Sequence, residues 1–141
     1  MDFMTSFKLC GSGLAAQRAK LDIVTSNLAN VNTTRTPEGG PYRKKTIAFA
    51  AEAVDGHFDS TIKSAIKSVR IEGATEDPNG IKTVYDPAHP DADEKGNVAL
   101  PNINIVTEMA DLIMASRGYE ACVTAFDATK NMTLKTLDMG R

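Results

Sequence analysis

The stretch from Ile105 to Arg141, IVTEMADLIMASRGYEACVTAFDATKNMTLKTLDMGR, decides how the rest of the chain can fold. It contains no proline, and intervals of four and three residues place one narrow stripe on one face of an α-helix. Seven of the ten stripe positions are apolar, and the stripe consists of Ile105, Met109, Leu112, Ser116, Tyr119, Val123, Phe126, Lys130, Thr133 and Leu137. A seven-residue repeat of this kind is typical of a coiled-coil seam, so the helix requires a partner helix.

The other end of the chain has the same rhythm and supplies the candidate partner. Seven of its eight positions are apolar, with Gln17 as the exception: Phe7, Cys10, Leu14, Gln17, Leu21, Val24, Leu28 and Val31. Two such seams at opposite termini predict long N- and C-terminal helices paired as an antiparallel coiled-coil hairpin, whose arms are joined by an insert. The spacing alone leaves open a second arrangement, in which two ordinary amphipathic helices belong to a small globular bundle.

Two glycines, Gly11 and Gly13, interrupt the first helical pattern, which begins near Thr5 or Ser6 and extends to about Asn30. Each glycine costs about 1 kcal/mol relative to alanine inside a helix. Their presence predicts a kink, a later start of the helix, or a close approach by a neighbouring backbone.

The middle of the chain has a different pattern. Prolines and glycines between Pro37 and Pro41 end the first helix, and runs rich in β-branched residues predict short strands at 46–49, 68–72 and 81–85, in a hairpin or a three-stranded sheet. We therefore predict a mainly α protein with a small β insert (α+β). Residues 1–33 and 103–141 form the terminal helical coiled-coil domain, residues 34–102 form the central turn and β-rich segment, and residues 50–67 contain an unassigned stretch.

Composition limits the classes of partner. The 141 residues carry a net charge of −2 and no Trp, which favours an elongated molecule over a deep core and argues against nucleic acid or an anionic membrane as the main partner. The longest apolar run, Ile47 to Ala51, is far too short to span a membrane. Because Met1-Asp2-Phe3 lacks the basic start of a secretory signal, we expect any export to proceed without a cleaved signal peptide.

No residue pattern indicates catalysis or a cofactor. Cys10 and Cys122 are too few for a zinc set or a disulfide framework, and neither His57 nor His89 belongs to a nucleophile motif. The sequence contains no phosphate-binding loop or dinucleotide fingerprint. We therefore predict that the protein is not an enzyme and has no catalytic, cofactor-binding or metal-binding residues.

The acidic loop from Asp86 to Asn97 fails the test for a calcium site. If Asp91 is counted as the first position of a calcium loop, Gly96 is correctly placed, but Lys95 occupies a ligand position. Asn102 stands where the bidentate Glu is required. We predict a rigid, solvated loop that docks on a neighbouring subunit instead.

Several short motifs, taken together and in order, resemble the bacterial flagellar rod and hook proteins. The N-terminal group is SGLAAQR at 12–18, SNLANVNTT at 26–34 and PEGGPYRKK at 37–45. The second group is YDP at 85–87, HPDAD at 89–93, PNIN at 101–104 and ASR at 115–117. The version PEGGPY is most similar to the proximal rod subunits. The motif residues singled out are Asn27, Asn30, Asn32, Thr33, Pro37, Gly39, Gly40, Tyr42, Asp86, Pro87, His89, Pro90, Asp91, Asp93, Pro101, Asn102 and Arg117.

This resemblance implies a structural subunit of the proximal rod of the flagellar basal body, in the periplasm, which contributes to flagellar assembly and motility. Such a subunit polymerises into a helical tube around the export channel, since a head-to-tail contact that does not close generates a filament. Its partners are copies of itself, other rod proteins and the flagellar type III export apparatus. The subunit-packing residues are then Phe7, Leu14, Leu21, Val24, Leu28, Met109, Leu112, Tyr119, Val123, Phe126 and Leu137. The alternative function is a soluble helical-hairpin adaptor that binds an unrelated partner helix.

Overall fold

The computed structural model describes residues 3–53 and 66–140, which form two long helices and four strands. The elements are α1 (Phe3–Ala29), β1 (Lys45–Ala53), β2 (Lys67–Glu76), β3 (Ile81–Tyr85), β4 (Asn97–Pro101) and α2 (Ile105–Met139). The predicted α+β class, mainly helical with a small β insert, is confirmed. Residues 54–65, which include His57 and most of the unassigned stretch, lie outside the described residues, as do Met1, Asp2 and Arg141.

The start of α2 is fixed by a side-chain cap. The Asn104 side chain accepts hydrogen bonds from the backbone N–H groups of Val106 and Thr107. These donors have no partner inside the helix, so the cap satisfies two groups that the first turn would leave unpaired. Glu108, also in the first turn, carries negative charge near the positive end of the helix dipole.

The two helices pack side by side in opposite directions. Phe7 of α1 meets Phe126 of α2 edge to face, with 5.0 Å between ring centroids. Further along, Lys20 donates to Asp111 at 2.9 Å. Because residue numbers rise along α1 as they fall along α2, the pair is antiparallel.

Gly11 and Gly13 leave α1 unbroken, and the close approach explains one of them. A Cβ at Gly13 would lie 3.1 Å from Cys122 Sγ, and a Cβ at Gly118 of α2 would lie 3.0 Å from the side chain of Gln17. Both glycines therefore stand where the helices are too close for a larger residue without adjustment. A Cβ at Gly11 would meet nothing within 4 Å.

The face that α2 turns toward α1 differs from the predicted seam by roughly 50° of rotation. Glu108 and Ala115 are buried, and Cys122 is half-buried, where the spacing had placed Met109, Ser116 and Val123. Leu112 and Phe126 belong to both stripes and are half-buried. The physical reason is size: Ala115, Gly118 and Cys122 let the helices approach more closely than the bulkier neighbours would.

The strands form two separate antiparallel pairs, so the three-stranded alternative that the sequence left open is wrong. β1 pairs with β2, and β3 pairs with β4, a strand that was not predicted from the sequence. A turn from Asp77 to Gly80 separates the pairs, with the Gly80 N–H donating to the Asp77 carbonyl. β2 has a bulge opposite Ala48 and Phe49 of β1, which bends the first strand pair. Gly73, at this bulge, has a positive φ of 132°.

The chain between α1 and β1 is a structured turn. The Tyr42 N–H donates to the Thr33 carbonyl, and the Thr36 N–H donates to the Gly40 carbonyl. Gly39 and Gly40 have φ of 91° and 82°, which a side chain would strain. This turn brings Tyr42 back to α1, where its ring is buried.

Candidate subunit interface

Asn27 lies at the centre of a largely buried polar cluster, which we define as Asn27, Tyr42, Lys44, the backbone of Lys45, and Glu108. Only 1% of Asn27 is exposed. Its Nδ2 donates to the Lys45 carbonyl at 2.9 Å and to Glu108 Oε2 at 3.1 Å. Its Oδ1 accepts from the Lys45 N–H and the Tyr42 hydroxyl, both at 3.0 Å. One side chain therefore joins α1, the end of the turn, the start of β1 and the start of α2.

Glu108 brings a charge into the same cluster. Its side chain is 3% exposed, and its Oε1 pairs with Lys44 Nζ at 2.7 Å. The other carboxylate oxygen accepts from Asn27, so both oxygens have a partner. Isolating a carboxylate from water is costly unless it is paired and hydrogen-bonded, and both conditions are met here.

A second apolar surface on α2 faces away from α1. We call it the outer stripe and define it as Ile105, Val106, Met109 and Ile113, of which Val106 is the most exposed at 76%. α2 also extends beyond the described end of α1. Phe3, the first described residue of α1, lies only one turn beyond Phe7, whereas α2 continues from Phe126 to Met139. The α2 tail that follows exposes Met132, Leu134, Leu137 and Met139.

The predicted packing residues divide between the contact of the two helices and the exposed surface of α2. In α1 all of them are buried or half-buried: Phe7, Leu14, Leu21, Val24 and Leu28. In α2, Leu112 and Phe126 are half-buried, whereas Met109, Tyr119, Val123 and Leu137 are exposed. The structure therefore brings the α1 set and part of the α2 set together and leaves the rest on the outside of the chain.

The predicted motif residues of the N-terminal half hold the turn in shape. Asn30 donates through Nδ2 to the Ser26 carbonyl and accepts from the Thr33 hydroxyl through Oδ1. Asn32, Pro37, Gly39 and Gly40 are exposed along the turn. Asn27 and Tyr42 are the two motif residues that reach the polar cluster.

The acidic loop docks on its own chain. Asp91 Oδ2 accepts from the Thr34 hydroxyl at 2.7 Å, and its Oδ1 pairs with Arg35 Nε at 2.7 Å. His89 Nδ1 accepts from the Asp91 N–H, which holds the loop internally. Within residues 3–53 and 66–140, no group of three His, Cys, Asp or Glu side chains is arranged to hold a metal ion.

The remaining motif residues have structural positions around that loop and on α2. Asp86 donates through its N–H to the Gly96 carbonyl and closes the loop, and Asp93 Oδ1 accepts from the Glu94 N–H. Pro87 and Pro90 are exposed, Pro101 is buried, and Asn102 donates to the carbonyls of Gly80 and Asn79. Arg117 is exposed on α2.

Sequence reasoning missed Glu108 and Lys44 as site residues. Lys44 lies in the basic run Arg43 to Lys45, and Glu108 lies in the first turn of α2. The available signal was position: Glu108 precedes Leu112 and Ala115 by four and seven residues, which puts it on a helix face with small and apolar side chains.

Two family models match the two ends of the chain. Residues 10–35 match the flagella basal body rod protein model, and residues 94–139 match the C-terminal model of the flagellar basal body rod FlgEFG proteins. These segments contain most of α1, its turn, β4 and α2. The matches define the class of protein: it is a bacterial flagellar basal-body rod protein.

Curated relatives extend the similarity to nearly the whole chain. The flagellar basal-body rod protein FlgC of Borreliella burgdorferi is 41% identical, covering 94% of this chain and 93% of its own. FlgC of Bacillus subtilis is 39% identical over 96% of this chain and 97% of its own, and FlgC of Salmonella typhimurium is 37% identical over the full length of both. The chain belongs to the FlgC family.

The chain is thus a structural subunit of the flagellar basal-body rod and not an enzyme. The resemblance predicted from the short motifs is confirmed, and the adaptor alternative is set aside. In the part of the chain that the structure describes, no helix is both long enough and apolar enough to cross a bilayer.

Proposed function

We propose that this rod subunit polymerises into a helical tube around the export channel, in the proximal, periplasmic part of the rod. Residues 1–33 and 103–141 form the inner wall as coiled coils shared between subunits, and residues 34–102 form an outer layer. The subunit reaches its place through the flagellar type III export apparatus without a cleaved signal peptide. Its direct partners are other copies of itself and other rod proteins.

The observation that carries this proposal is the outer stripe. Met109 and Ile113 are 53% and 52% exposed on a helix whose other face already contacts α1. Burying a large apolar side chain contributes about 1.5–3 kcal/mol, and burying the half that remains exposed contributes roughly half of that. Four such residues in one row supply several kcal/mol, which a neighbouring helix could gain on assembly.

The α2 tail supports the same proposal. Leu137 is 67% exposed and Met139 is 79% exposed, although the spacing of the helix places Leu137 on the same face as Phe126. A helix that extends beyond its intrachain partner with apolar residues offers a second contact to a subunit stacked above or below. The predicted packing residues Tyr119, Val123 and Leu137 would then act between subunits rather than within one.

The test is a charge placed on the outer stripe without disturbing the hairpin. Met109→Asp is suited to this purpose, because Met109 is exposed and an acidic residue near a helix N-terminus is electrostatically favourable. We expect the double variant Met109→Asp, Ile113→Asp to keep its far-ultraviolet circular dichroism and to abolish rod formation and swimming in a strain that lacks the native gene.

The matched control is Ala121→Asp, which adds the same charge to an exposed position on another face of α2. It should retain most of the swimming. Rods isolated at normal yield from cells with the double variant would show that the outer stripe is not a subunit contact. An equal loss with Ala121→Asp would show that the effect is not confined to the stripe.

A further inference from the structure

The seven-residue spacing of apolar residues would allow α1 and α2 to meet in a second register. Both helices repeat every seven residues, so sliding one along the other by seven brings equivalent positions together again. Such a slip moves α2 by about 10 Å. The α2 tail leaves room for it, because α1 would remain covered over its described length when the tail moves back alongside it.

We propose that the buried polar cluster around Asn27 and Glu108 sets the register of the helix pair. In the observed register the Asn27 amide meets the Glu108 carboxylate at 3.1 Å. A seven-residue slip would place Asn27 opposite Ala115, whose methyl group offers no hydrogen bond. After such a slip Leu14 would face Phe126 and Leu21 would face Tyr119, although Phe7 would exchange Phe126 for Thr133. The buried amide and carboxylate would each lose a partner.

The link from Asn27 to β1 makes this register matter for the rest of the subunit. The amide of Asn27 bonds to both the N–H and the carbonyl of Lys45, as a peptide group of a neighbouring strand would. Lys44, the next residue back, pairs with Glu108. The same atoms that align the helices therefore position the first strand pair against them. This inference concerns the fold of one chain and does not rest on rod assembly.

Two cysteine reporters distinguish the registers, in a background in which Cys10→Ser removes the competing thiol. With Gly13→Cys, the new Cβ lies 3.1 Å from Cys122 Sγ, so an oxidant should form a disulfide in the observed register. With Lys20→Cys, the new thiol meets Cys122 only after a slip of seven residues. Each reporter is combined with Asn27→Leu, and Asn131→Leu at an exposed site of α2 is the matched control.

In the purified chain with an intact cluster, we expect the Gly13→Cys reporter to oxidise efficiently and the Lys20→Cys reporter to remain reduced. Asn27→Leu should raise the disulfide yield of the Lys20→Cys reporter by at least about tenfold. Asn131→Leu should leave both yields unchanged. Glu108→Gln, which preserves the shape of the side chain, should change the yields in the same direction and by less.

Three results would overturn the proposal. The first is an unchanged Lys20→Cys yield in the Asn27→Leu protein that retains its helical circular dichroism. The second is a failure of the Gly13→Cys reporter to oxidise when the cluster is intact. The third is loss of the helical signal in both Asn27→Leu and Glu108→Gln, which would make the cluster a requirement for folding rather than a determinant of register.

Discussion

Replacing Lys44 by methionine tests how strongly the buried charge at Glu108 depends on its partner. Methionine keeps most of the apolar length of lysine and removes only the ammonium group, which lies 2.7 Å from Glu108 Oε1. The Glu108 side chain is 3% exposed, so it has little contact with water in the folded protein. A single hydrogen bond from Asn27 would remain.

The expected loss of stability is large for Lys44→Met and smaller for Glu108→Gln. Removing one partner of a buried ion pair costs about 3–5 kcal/mol, and we expect Lys44→Met to lower the free energy of unfolding by that amount. Glu108→Gln should cost only about 1–2 kcal/mol, because Lys44 is 27% exposed and can turn toward water. The double variant Lys44→Met, Glu108→Gln should lose less free energy of unfolding than the two single variants together, by about 1–3 kcal/mol.

Urea unfolding of the four proteins, followed by circular dichroism, measures these differences. Lys8→Met, at an exposed position of α1, is the control for loss of a positive charge, and it should change stability by less than about 0.5 kcal/mol. The reasoning fails if Lys44→Met is within about 1 kcal/mol of the native chain, or if the two single losses simply add in the double variant.

Two further predictions concern the glycines and the acidic loop. Gly118→Leu should lower the free energy of unfolding by about 1–3 kcal/mol, because its Cβ would press on Gln17. Gly11→Ala should raise it by up to about 1 kcal/mol, because its Cβ would meet nothing within 4 Å. Thermal melts should show a lower melting temperature for the first variant and a higher one for the second. Calcium or zinc should leave the melting temperature unchanged, because Asp91 is engaged by Thr34 and Arg35. A metal site filled at one hundred times its Kd would add about 2.7 kcal/mol to the free energy of unfolding. A rise in melting temperature that a chelator reverses would contradict this prediction.

The helices could be predicted because their information is local. Regular spacing of apolar residues places them on one helix face whatever the distant chain does, and the described bounds of α1 and α2 follow that spacing closely. Which face meets the partner is a different question, because it depends on how near the helices can come. Glycine and alanine contribute little to a hydropathy pattern. Ala115 and Gly118 therefore determine which face of α2 meets α1, although the apolar spacing does not reveal it.

The strand β4 and the polar cluster could not be predicted, because their partners are far away along the chain. Asn97 and Pro101 look like loop residues until β3 supplies the other half of the ladder. Asn27 appeared in the sequence only as part of a motif, since its partners follow it by 18 and 81 residues. A buried charge such as Glu108 is also contrary to the ordinary preference of glutamate for the surface.

Polar groups make many of the contacts between α1 and α2, whereas exposed apolar side chains of α2 remain available to other chains. At the end of the hairpin nearest the sheets, α1 and α2 are joined by an amide, an ion pair and small residues, which specify position through direction and size. Several of the larger apolar side chains of α2, including Met109, Ile113 and Leu137, are exposed instead. In the proposed assembly, directional contacts would fix one geometry first, and non-directional apolar burial would then provide the free energy when subunits meet. An open polymer needs this order, since each added subunit must present the same geometry to the next one for the contact to repeat.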